Sequence, residues 1–520
     1  MHCGQAAEGR LLLFIHHRGI MNGFTMNDLV KHSGQVFTPD YLVNLILDEA
    51  GYCGAGILRK HCIDNSCGDG AFLCEIVRRY IDAYRNQHGS LAGVEAELRE
   101  YIHGIEIENA AYECCVENLY SVTAEYLSTA AAVDLRHADA LQVHDFDGKM
   151  DFVVGNPPYV RVHNLEDNFD AVKKFSFANG GMTDLYLVFF EIGFNMLRDG
   201  GKLCYITPSS WINSVAGSTL RSYVSIYRNL LGVIDLGHCQ AFRATTYTLI
   251  SLFQKGVRND DFAYSEFNPG NCGKTFICRI SYNDVSINGC FYLADTLTLN
   301  SLRAIFTGGA KKYVSVKNGF ATLADDVFIS SDFPFASYLI PVIKASTGKW
   351  YRAFFPYDKA GKPLAKELIF SDPEVSAYLE GCKAKLLKGA DESKNPLWYL
   401  FGRTQALKDV HIDKIAINTT IKDVKSLKLN LVAAGSGVYS GLYILTDIPF
   451  DLISEIILSE DFIRYIASLK KYKSGGYYTY NSKDLELYLN YKISELIEHG
   501  KIARHSVDKR GVSERHLSLI

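Results

Sequence analysis

Apolar positions in the first half of the chain follow two alternating rhythms. Residues 41–50 carry Leu42, Val43, Leu45, Ile46 and Leu47 at helical spacing, opened by Thr38-Pro39-Asp40, which supplies cap and first-turn chemistry. A short apolar strand ends at Cys62-Ile63-Asp64, and residues 70–80 read as a helix with Phe72, Leu73, Ile76 and Val77 inward. The pattern then predicts a strand at 103–107, a helix at 110–120, and strands at 133–137 and 151–154. A helix at 184–197, a strand at 202–207, a helix at 219–230 and strands at 232–236 and 247–253 follow. Such alternation predicts an α/β fold: a doubly wound, mostly parallel sheet with helices on both faces and ligands at the carboxyl ends of its strands.

The rhythm breaks at Gly256-Val257-Arg258-Asn259-Asp260-Asp261, a polar stretch that reads as a domain boundary. Beyond it helices and strands mix without βαβ order or internal repeat. The expected division is therefore an N-terminal extension at 1–33 without periodicity, an α/β domain at 34–258 and a mixed α+β domain at 259–520.

Composition narrows the class. Of 520 residues, 48% are apolar and 22% charged, which excludes disordered and fibrous chains. Thirteen cysteines without paired CxxC spacing point to a reduced, cytoplasmic protein and to neither a disulfide scaffold nor a zinc site. Cys62, Cys74, His103 and His137 lie on or beside predicted core elements, where packing is expected rather than metal binding. No apolar run is long enough for a membrane span. The net charge of −4 hides an asymmetry, because residues 1–250 carry −10 and residues 251–520 carry +6. The basic half is the candidate for a polyanionic partner.

Chemistry concentrates at the strand tips. Asp64-Asn65-Ser66-Cys67-Gly68-Asp69-Gly70 joins the first strand to its helix, where glycines permit close approach of a ligand to backbone N–H groups. Glu106 ends the next strand and can accept both hydroxyls of a ribose, while Asp139 after the third suits the amino group of an adenine ring. Three carboxylates around one crevice repel unless a ligand uses them. The fourth strand runs into Asn156-Pro157-Pro158-Tyr159, which combines an amide acceptor, a stiff turn and an aromatic ring. Two acceptors and a π face together suit a planar amine.

In this order the motifs resemble the gamma class of S-adenosylmethionine-dependent DNA adenine-N6 methyltransferases, the TaqI-like group of restriction–modification systems. The matching stretches are Gly34 through Pro39, Asp64 through Gly70, Gly104-Ile105-Glu106, Asp139, Asn156 through Tyr159, Asp184-Leu185-Tyr186, Lys202 through Pro208, and Asp235-Leu236-Gly237 leading to Phe242. The resemblance implies a Rossmann-like seven-stranded methyltransferase sheet with a second, DNA-recognition domain, and S-adenosylmethionine as cofactor. It places Thr38, Pro39, Asp64 and Gly68 near the amino-acid end of that cofactor, Glu106 at its ribose and Asp139 at its adenine. Asn156, Pro157 and Tyr159 would position a flipped-out target adenine, with Phe242 on its opposite face. In the first glycine loop Asn65-Ser66 stands where proline and a small residue are usual, and Asp69 where serine is common. No metal is required.

Double-stranded DNA is the implied partner, and a separate restriction endonuclease is a further one. In the basic half, residues 470–480 interleave lysine and tyrosine around two glycines. Lys471 and Lys473 can meet phosphates there, and Tyr477 and Tyr478 sugars or bases. Arg403, after Trp398-Tyr399-Leu400-Phe401-Gly402, suits a guanine edge, and residues 422–428 form a third basic stretch. Two other readings compete: a glutamine-N5 protein methyltransferase, whose substrate is also a planar amide, and a catalytically silent DNA-recognition subunit.

Overall fold

The computed structural model describes residues 38–499 apart from 125, 128–132, 163–168, 179–182, 241, 243–245 and 310. The expected extension at 1–33 and the motif residues 34–37 lie outside this set. The chain divides into two compact units, Met1–Asn300 and Ser301–Ile520.

The first unit is built on one sheet. Its strands are β1 Cys62–Asp64, β2 Ile102–Glu106, β3 Asp134–His137, β4 Met150–Gly155, β5 Leu197–Pro208, β6 Leu230–Asp235, β7 Thr248–Gln254, β8 Asp261–Asn268 and β9 Gly273–Ser281. They lie in the order β3-β2-β1-β4-β5-β7-β6-β8-β9. The pairs β2–β3, β1–β2, β1–β4, β4–β5 and β6–β8 are parallel, whereas β7 is antiparallel to both its neighbours. An apolar core covers each face. Helices Asp40–Ala50, Ala71–His88 and Asn109–Thr123 pack into one core, and Leu185–Met196 and Ser218–Tyr227 into the other. The seven expected strands are present, and the doubly wound α/β reading holds.

Two features depart from the sequence reading. The sheet continues past the expected boundary at 258/259, because Val233 of β6 pairs with Tyr264 of β8 and the Asn259 N–H donates to the Arg228 carbonyl at 3.0 Å. The polar stretch at 256–261 is thus a tight turn within the first unit, and the units divide at Asn300/Ser301. In addition, Thr38 does not cap the first helix. Pro39 holds the N-cap position without a side-chain bond, and its carbonyl receives the N–H groups of Leu42 and Val43.

The second unit is mixed α+β. One four-stranded antiparallel sheet joins Val314–Asn318, Leu442–Thr446, Lys414–Ile417 and Leu429–Val432. Another joins Ile329–Ser330, Lys349–Phe354, Leu339–Lys344 and Gly437–Tyr439, and a small three-stranded sheet joins Thr420–Ile421, Tyr477–Thr479 and Tyr472–Lys473. Lys414 is buried in this unit, and its ammonium is tied to the carbonyls of Val410, Ile412 and Ser436 at 3.2, 2.6 and 2.9 Å. Among the described residues no helix is long and apolar enough to cross a membrane.

Candidate functional site

Chain order reverses between β1 and β4: β2 and β3 extend to one side, β4 and β5 to the other. At such a reversal the connections leave in opposite directions and open a crevice above the carboxyl ends of the strands. The tips of β1, β2 and β4 end there at Asp64, Glu106 and Gly155.

Asp64 is 1% exposed and accepts the Ser66 N–H at 3.1 Å. Burial pushes its carboxyl up to about 8, with Glu106 and Asp69 adding to the effect and the Ser66 bond opposing it. Gly155 lies directly against it. Its φ is 151°, and a Cβ there would stand 2.6 Å from Asp64 Oδ1, so only glycine lets β4 close on β1.

Glu106 is also buried and receives two backbone donors, Gly68 N–H and Glu108 N–H, each at 2.8 Å. Burial raises its carboxyl, and those N–H groups oppose the rise. A carboxylate offers about four lone-pair sites, so capacity remains for further donors. Through Gly68 the residue also fixes the glycine loop. Asp139 is half-buried, and its side chain accepts from Leu141 N–H at 2.9 Å and from Gln142 Nε2 at 3.4 Å.

The unusual Asn65 finds a partner that the sequence reading missed. Its Oδ1 accepts from the buried Tyr205 hydroxyl at 2.8 Å. Tyr205 alternates with Cys204 and Ile206 along β5, a register that places it on the opposite face from them; only its match to a polar residue more than a hundred positions away reveals its role.

Asn156 follows Gly155 directly. Its Nδ2 donates to Thr38 Oγ1 at 3.1 Å, which fixes the orientation of the amide and explains why Thr38 is buried. Pro157 is buried beside it. The Tyr159 hydroxyl donates to the Ile206 carbonyl at 3.1 Å, which anchors the ring on β5. Phe242 is 6% exposed and meets Tyr159 edge to face, with centroids 6.2 Å apart and planes at 81°. The two rings therefore touch each other in this arrangement. Its neighbours 241 and 243–245 lie outside the described residues. The first unit thus brings together Thr38, Asp64, Gly68, Glu106, Asn156, Pro157, Tyr159 and Phe242.

The basic candidates of the second unit separate. Lys471 bonds Asp484 at 2.6 Å, and Asp484 closes the capping box of helix Ser482–Glu498, so this lysine is held by a carboxylate. Trp398, Tyr399, Leu400 and Phe401 are all buried, so that stretch is core. Arg403 and Lys473 are exposed, Tyr477 is 38% exposed, and Tyr478 packs against the buried Tyr472 at 5.7 Å. His103 is buried between His61 and Asp134, at 3.0 and 3.1 Å. His137, by contrast, is exposed and bonds the Ile107 carbonyl. Among the described residues no three His, Cys, Asp or Glu side chains gather as a metal would require.

Fold and strand-tip motifs together are those of the α/β methyltransferase fold class. More particularly, residues 100–242 match the Eco57I restriction-modification methylase family. The chain is similar to the type II restriction enzyme and methyltransferase RM.Eco57I of Escherichia coli, 22% identical over 84% of this chain and 54% of that protein. It is also similar to the type II methyltransferase M.PaeR7I of Pseudomonas aeruginosa, 31% identical over 41% of this chain and 38% of that protein. The chain thus spans about half or less of the length of these relatives. Among solved structures, that of the type IIL restriction-modification enzyme MmeI in complex with DNA has a TM-score of 0.57 at 15% identity, covering 90% of this chain and 68% of that one. At that identity the likeness is one of fold. The resemblance read from the motifs is borne out at the level of this class.

Proposed function

We propose that the chain is a DNA methyltransferase that transfers a methyl group from S-adenosylmethionine to N6 of an adenine flipped out of a duplex. The observation that carries this reading is the fixed amide of Asn156, directly after the glycine that packs on Asp64 and beside the anchored ring of Tyr159. The donor set fits the cofactor. Glu106 retains acceptor capacity for ribose hydroxyls, Asp139 lies at the next strand tip, and Asp64 offers a carboxyl to a cation.

When bound, the cofactor supplies an activated methyl group with its own leaving group. The chain's residues orient the acceptor. An adenine N6 lone pair is delocalised into its ring, and hydrogen bonds from the amine to Asn156 Oδ1 and the Pro157 carbonyl localise it while stabilising the charge that develops on nitrogen. Tyr159 supplies a stacking face. Taking the base out of the duplex costs a few kcal/mol, and stacking worth about 1–3 kcal/mol offsets much of that. The second unit, with its exposed cations, holds the DNA. Incubation with labelled cofactor tests the reading. Label in DNA supports it, and label confined to protein or absent supports instead a glutamine methyltransferase or a silent recognition subunit.

The buried Asp64 adds a pH dependence. With its carboxyl near pH 8, the residue favours the fold most below its ordinary range, and that contribution is lost as pH rises through 8. A cationic ligand favours the ionised form, so binding between about pH 6 and 8 releases a proton. Cofactor affinity is expected to rise by up to about tenfold per pH unit over that window and then level off. Calorimetry in buffers of different ionisation enthalpy reads the released proton, and Asp64→Asn should abolish it.

A further inference from the structure

Several cations of the second unit are committed to carboxylates: Lys317 to Asp409, Lys366 and Lys383 to Glu392, Lys385 to Asp326 and Lys471 to Asp484. A second set is exposed without an ion pair among the described residues. Lys349 and Arg352 lie on the hairpin strand Lys349–Phe354, Lys428 precedes strand Leu429–Val432, Lys422 follows strand Thr420–Ile421 and Lys473 ends strand Tyr472–Lys473. Between Lys349 and Arg352 stands Trp350, 48% exposed. Trp350 offers beside these cations a large rigid ring with a polar N–H, a side chain that packs on apolar sugar or base edges.

These residues follow one another in space. A side chain begun at Gly348, in the hairpin turn, would meet Asn430 Nδ2 at 3.6 Å. Two residues along that strand is Lys428, whose N–H donates to Asn418 Oδ1 at 2.8 Å, and Asn418 Nδ2 bonds the Thr420 carbonyl at 2.9 Å. Strand Thr420–Ile421 pairs with Tyr477–Thr479 and leads into Lys422, whose Nζ lies 3.5 Å from where a Cβ on Gly476 would stand. Lys473 and Tyr477 face each other in the same small sheet.

We propose that this face is a DNA-backbone surface in which Arg352, Lys428, Lys422 and Lys473 neutralise phosphates of a duplex and Trp350, on the same strand face as Arg352, packs against sugar or base. It rests on the reading of the chain as a DNA-binding enzyme and extends it to Trp350 and Arg352, which no motif singled out. Charge complementarity commits the face to a polyanion of repeating phosphates. The tryptophan favours one with apolar sugar and base edges between the charges.

Two measurements on the full chain test it. Each phosphate contact contributes about 0.9 to the slope of log affinity against log salt concentration, so Arg352→Gln with Lys428→Gln should lower that slope by about 1.8 for a duplex of mixed sequence. Lys385→Gln, which removes a carboxylate-paired cation, should leave it unchanged. The chain has three tryptophans, and Trp211 and Trp398 are buried at 1% and 2% exposure, so acrylamide quenching reads Trp350 almost alone. Saturating duplex should protect it, and Trp350→Phe should remove the quenchable component. An unchanged slope, or a Trp350 that stays quenchable while the native chain binds and methylates DNA, overturns this surface and leaves the enzymatic reading standing. A native chain without salt-dependent DNA binding overturns both.

Discussion

Asn156→Ala should lower the rate of methyl transfer by about a hundredfold to a thousandfold, the cost of removing one positioned polar group at a developing charge. Duplex binding and cofactor binding should stay near native, because in the proposed mechanism the amide meets the reacting amine and touches no phosphate. The side chain is held through its bond to Thr38 Oγ1 at 3.1 Å, so Thr38→Val should produce a milder loss in the same direction by freeing the amide to turn. Single-turnover kinetics at saturating DNA and cofactor separate the two effects from binding. Near-normal turnover in the Asn156 variant would remove the proposed mechanism.

The second large effect concerns Glu106. Its carboxylate serves two backbone donors and, in the proposed complex, the ribose hydroxyls. Glu106→Ala leaves the N–H groups of Gly68 and Glu108 unpaired and removes the ribose acceptor. Charged hydrogen bonds contribute about 1.5–3 kcal/mol, so cofactor affinity should fall about tenfold to a hundredfold. Glu106→Gln should fall between the two, since its amide nitrogen must face one of the backbone donors. Calorimetric titration of the folded variants decides it, and unchanged affinity would place the cofactor elsewhere.

The part of the site that was legible in the sequence is the part set by local chain order. Asp64, Glu106 and Asn156 each follow an apolar strand directly, and parallel pairing brings strand ends to one edge. What distance in the chain conceals was harder to read. The Asp64 carboxyl is pushed up by burial that depends on Gly155 packing against it, and Asn65 is satisfied by Tyr205. Lys471 and Lys473 look alike in sequence, yet one is tied to a helix cap and the other faces solvent. The buried Trp398 and the exposed Trp350 are distinguished only by what packs around them. The polar turn at 256–261 resembled a linker because β8 and β9 lack an intervening helix, although β8 completes a parallel pair with β6.

The central claim is that the acceptor is the N6 amine of adenine in DNA. The direct measurement is to incubate the native chain with duplex DNA and cofactor labelled in the methyl group, digest the DNA to nucleosides and identify the labelled one by mass. The account predicts that the label resides in N6-methyladenine and disappears with Asn156→Ala. Label in a methylated cytosine, or in glutamine of a protein with none in DNA, would contradict it.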